Sequence, residues 1–75
     1  MTKQLVQYHI SRLKDKNAVA RLDAIRELVL LADGDALDAL KEVYEKDPDE
    51  EVRRAAQQAG RDLYFKIRAN SDATS

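Results

Sequence analysis

One short passage occurs twice in this chain. Asp15-Lys16-Asn17-Ala18-Val19-Ala20-Arg21-Leu22-Asp23-Ala24 aligns with Asp47-Pro48-Asp49-Glu50-Glu51-Val52-Arg53-Arg54-Ala55-Ala56, and the matched aspartate, arginine and alanine all stand 32 positions apart. A period of that length is one supersecondary unit, which buries its apolar face only against a neighbouring unit. The repeat therefore predicts a stack of helical hairpins, and it makes the faces left at the two ends of the stack the informative surfaces.

Size limits how such a stack can be held together. The chain has 75 residues and no cysteine, so neither a disulfide nor a thiolate metal site supports it. At roughly 25 cal/mol per Å² of apolar burial against about 1.5 kcal/mol per ordered residue, a core this small comes out near balance. Close helix packing must carry the fold, completed by a second copy or a partner. The formal net charge of −1 gives no overall field toward nucleic acid or an anionic membrane. The longest apolar run, Leu28 to Ala32, is far too short to span a bilayer, and Met1-Thr2-Lys3-Gln4 does not lead into a signal-peptide core. A cytoplasmic location and no membrane contact are expected.

The spacing predicts four helices in two pairs. Val6, Ile10 and Leu13, with Lys3 one turn earlier, place helix one over about Lys3–Lys14. Asp15 or Asn17 caps helix two, which continues to about Ala32. Gly34 suits a left-handed position after helix two, and Asp33 or Asp35 caps helix three. Helix three carries Leu37, Leu40, Val43 and Tyr44 on one side. Pro48 suits the first turn of helix four, Asp47 and Glu50 form a capping-box-like pair, and the helix runs from about Asp49 to Ile67 or Arg68. Unit one spans about 3–32 and unit two about 35–67 of a domain over 1–68, with 69–75 expected as a disordered tail.

Helix two is the telling element. It carries one apolar line through Ala20, Ala24, Leu28 and Leu31, and a second through Ala18, Leu22, Ile25, Val29 and Ala32. Two stripes mean contacts on two sides, so helix two belongs in the middle of the stack. Helix four has one line, Val52, Ala56, Ala59 or Gly60, Leu63 and Ile67, opposite Arg54, Gln57, Gln58 and Arg61, as an end element should.

In each half an aspartate leaves the turn beside the next helix's amides, an arginine follows six positions on, and an alanine three beyond permits close approach. This pattern resembles HEAT repeats, and most of all the short-period HEAT-like repeats of phycobilisome lyases and many prokaryotic proteins. The resemblance implies an all-α fold, a four-helix α-α superhelix fragment made of two HEAT-like hairpins. It also implies a hydrogen-bonded ladder between successive units, a role that falls on Asp15, Arg21, Asp47 and Arg53. Two units are fewer than such arrays usually need, which leaves an apolar flank.

No constellation for catalysis stands out. His9 is the only histidine and has no second histidine or cysteine to share a metal, Ser11 has no base beside it, and Gly34 and Gly60 are isolated. A non-enzymatic chain with no cofactor and no metal is expected. Leu63, Tyr64, Phe65 and Ile67, with Arg54 and Arg61, make the candidate interface, because aromatic residues are favoured anchors between proteins. The expected function is a protein-interaction module or small adaptor, self-associating as a homodimer or serving as a subunit of a larger assembly. Two alternatives stay open: an accessory subunit of a chromophore lyase, resting on the resemblance, and a nucleic-acid binder using the arginines of helix four, whose basic lean Glu50, Glu51 and Asp62 interrupt.

Overall fold

The computed structural model describes residues 2–74 and is all-α: α1 (Thr2–Arg12), α2 (Ala18–Leu31), α3 (Ala36–Lys46) and α4 (Glu50–Thr74). Helices α1 and α2 form the first hairpin and α3 and α4 the second. They stack so that α2 packs against both α1 and α4, the central place its two apolar stripes demand. The core runs across both hairpins through Val6, Leu28, Leu40, Val52 and Leu63, all of them fully buried. Ala24, Ala36, Ala56 and Ala59 are buried among them, and their small side chains let the helix backbones approach.

The chain ends each helix with local polar chemistry. Leu13, Lys14 and Asp15 donate to the carbonyls three residues back, tightening the end of α1. Asn17 caps α2, its Oδ1 accepting from the Val19 N–H at 2.8 Å. Asp49 caps α4 in the same way, its Oδ1 accepting from the Val52 N–H at 3.1 Å. The Asp47–Glu50 capping box does not form, because Asp47 lies outside the helix and Glu50 turns to Arg54. Pro48 accordingly precedes the cap instead of occupying the first turn. Before α3, Asp33 Oδ1 accepts from the Asp35 N–H at 2.9 Å, while Asp35 makes no side-chain cap.

One further expectation is corrected. The left-handed residue after α2 is Ala32 (φ 52°, ψ 41°), and Gly34 has no positive φ. The reversal falls directly after Leu31, where the Ala32 N–H bonds back to the Val29 carbonyl at 3.1 Å. A left-handed alanine costs about 1–2 kcal/mol that glycine avoids. Ala32→Gly should therefore raise stability by about 0.5–1 kcal/mol after its entropic cost. A lowered denaturation midpoint would contradict this geometry. Helix α4 continues through Thr74, because neither glycine nor proline follows Gly60 to stop it; Ile67 is the last residue packed on the core. Ser75 lies outside the described residues.

Candidate functional site

One buried ion pair crosses the joint between the hairpins. Asp47 sits in the turn between α3 and α4 in extended conformation, and its Oδ1 accepts from the Asp49 N–H at 2.9 Å, which aims the carboxylate at α2. Arg21 of α2 meets it: Nη2 donates to Asp47 Oδ1 at 3.2 Å, and Nε lies 2.9 Å from Oδ2. The Nε–H is not aligned with that oxygen, so this second contact is ionic and leaves Nε without a hydrogen bond. The same guanidinium donates through Nη1 to the Asp15 carbonyl at 2.7 Å and the Lys16 carbonyl at 3.1 Å. Arg21 thus closes its own turn with one nitrogen and holds the next hairpin with the others.

Unit two repeats half of this arrangement. Arg53 Nη1 donates to the Asp47 carbonyl at 2.6 Å, as Arg21 does to Asp15. Asp15 Oδ1 accepts from the Asn17 N–H at 2.8 Å, as Asp47 does from Asp49. Of the four residues expected in a ladder, the fold brings Arg21 and Asp47 together and leaves Asp15 and Arg53 at opposite ends. Among the described residues, neither of those two has an ionic partner.

The second feature is an open groove of about 500 Å³ between α3 and α4, lined by residues of unit two. Its walls include Leu37 and Tyr44 from α3 and Gly60, Arg61, Tyr64 and Phe65 from α4. Tyr44, Tyr64 and Phe65 are 43%, 48% and 65% exposed, an unusual cluster of aromatic surface for so small a chain. Tyr64 and Phe65 stack edge to face with centroids 5.8 Å apart, and Arg68 lies over the Tyr64 ring.

The candidate interface divides on inspection. Tyr64, Phe65 and Arg61 line the groove, whereas Leu63 is fully buried and Ile67 is half-buried above Gly34. Adjacent helical residues point about 100° apart, so Leu63 and Tyr64 cannot share a face. Arg54 is exposed and pairs with Glu50 at 2.8 Å. Tyr44, Leu37 and Gly60 also line the groove; the sequence reading places Leu37, Leu40, Val43 and Tyr44 on the core side of α3, and of these four only Leu40 and Val43 are buried. The remaining basic residues of α4 do not form a row, since Arg53 reaches back to Asp47 and Lys66 donates to the Val29 carbonyl at 3.3 Å.

Lys3 plays a part its place on the α1 stripe does not reveal. Its Nζ bridges Asp33 at 2.9 Å and Asp35 at 2.9 Å, clamping the start of α1 to the α2–α3 turn. The hydrogen bond from Lys3, then that from the Asp35 N–H, holds the Asp33 carboxyl below its ordinary range; Asp33 and then Asp35 raise the Lys3 ammonium. The Asp33 contribution is present above the ordinary carboxyl range and lost as pH falls through its depressed value, while that of Lys3 is lost in strong alkali. In Lys3→Gln, the Asp33 carboxyl should titrate closer to its ordinary range in a carbon-detected NMR titration. An unchanged titration would show that the clamp does not form in solution.

His9 is buried beside Tyr8, with Nδ1 3.4 Å from Arg12 Nη1. Among the described residues no group of acidic, histidine or cysteine side chains could hold a metal, and no helix is long and apolar enough to cross a membrane. Two stacked helical hairpins joined by an aspartate–arginine rung define a helical-repeat protein. The family model for HEAT repeats matches residues 2–60, most of the chain, and the chain belongs to that family. Comparison with curated proteins and with solved structures gives no match. HEAT repeats generally mediate protein–protein interaction and are typically non-enzymatic.

Proposed function

We propose that this chain is a non-enzymatic protein-interaction module that self-associates through the α3–α4 end of its stack. The observation that carries the reading is the groove formed by Leu37, Tyr44, Tyr64 and Phe65, where three exposed aromatic rings lie together. Aromatic side chains anchor interfaces because they bury much area at little rotamer cost. A two-unit stack also has a small core, which favours covering an end face.

Sedimentation equilibrium tests the reading. Wild-type protein should associate at micromolar concentration, and Tyr64→Ala combined with Phe65→Ala should weaken that association at least tenfold. Both side chains are largely exposed, so the melting temperature of the diluted variant should hardly move. A wild-type chain that stays monomeric at high micromolar concentration would contradict self-association. A double variant that associates as tightly as wild type would remove the groove from the interface.

A further inference from the structure

We draw no further inference here: the strongest candidate, the open furrow between α2 and α4 lined by Leu22, Ile25, Val29, Ala55 and Ala59, carries opposite charges on its rim, Arg26 against Glu51 and Asp62, and nothing in the structure shows what covers it.

Discussion

Asp47→Ala should destabilise the folded chain by about 3–5 kcal/mol, the usual cost of leaving one member of a buried ion pair behind. The side chains of Arg21 and Asp47 are only 10% and 5% exposed, so water cannot readily replace the lost carboxylate. The same substitution also deprives the Asp49 N–H of its acceptor at the start of α4. A chain of this length has a total stability of roughly 4–11 kcal/mol at about 0.05–0.15 kcal/mol per residue, so the substitution removes a large share of it. Urea denaturation measures the change. Asp15→Ala is the internal control: it removes a turn hydrogen bond at the exposed end and should cost about 0.5–1.5 kcal/mol. Equal losses for the two aspartates would mean that the Arg21 contact adds nothing.

Leu63→Ala should be comparably severe, at about 2–5 kcal/mol, from lost burial and the cavity left behind. Leu63 is fully buried in α4, and it is flanked in sequence by Asp62 and Tyr64, both exposed. Differential scanning calorimetry at a concentration where wild type is monomeric isolates this effect from association. Tyr64→Ala under the same conditions should change stability by no more than about 0.5 kcal/mol. If the two substitutions cost the same, the assignment of Leu63 to the core and Tyr64 to the groove is wrong.

That one-residue difference illustrates what sequence can and cannot reveal here. The architecture is legible because the repeat puts Asp15 and Asp47, Arg21 and Arg53, and Ala24 and Ala56 in step, and because α2 alone carries two apolar stripes. The meeting of Arg21 with Asp47 follows from that register. Finer placements depend on helix phase, which an apolar cluster such as Leu63-Tyr64-Phe65-Ile67 leaves undefined until the neighbouring helix is known. Tyr44 is the mirror case: it shares a stripe with Leu40 by spacing, yet the stripe is wider than the contact, and Tyr44 ends on its outer edge.

Local polar chemistry was harder still, for a different reason. Near α4, Asp47, Asp49 and Glu50 all had the chemistry of a capping residue, and only the demand of Arg21 for a carboxylate decides that Asp49 caps while Asp47 faces the joint. Near α3, Gly34 looked like the left-handed residue because glycine tolerates it best, but the position is set by where α2 stops, and Ala32 takes it. The Lys3 clamp joins residues 30 and 32 positions apart, beyond the reach of any local pattern.

The central claim is that the two hairpins form one cooperative stack joined through Arg21 and Asp47. Native-state hydrogen exchange of the monomeric chain tests it most directly. The slowest amides of α2 and α4, around Leu28 and Leu63, should exchange with the same opening free energy as global unfolding. Protection that survives in α1 and α2 while α3 and α4 exchange freely, or the reverse, would mean two independent hairpins and would contradict the stack.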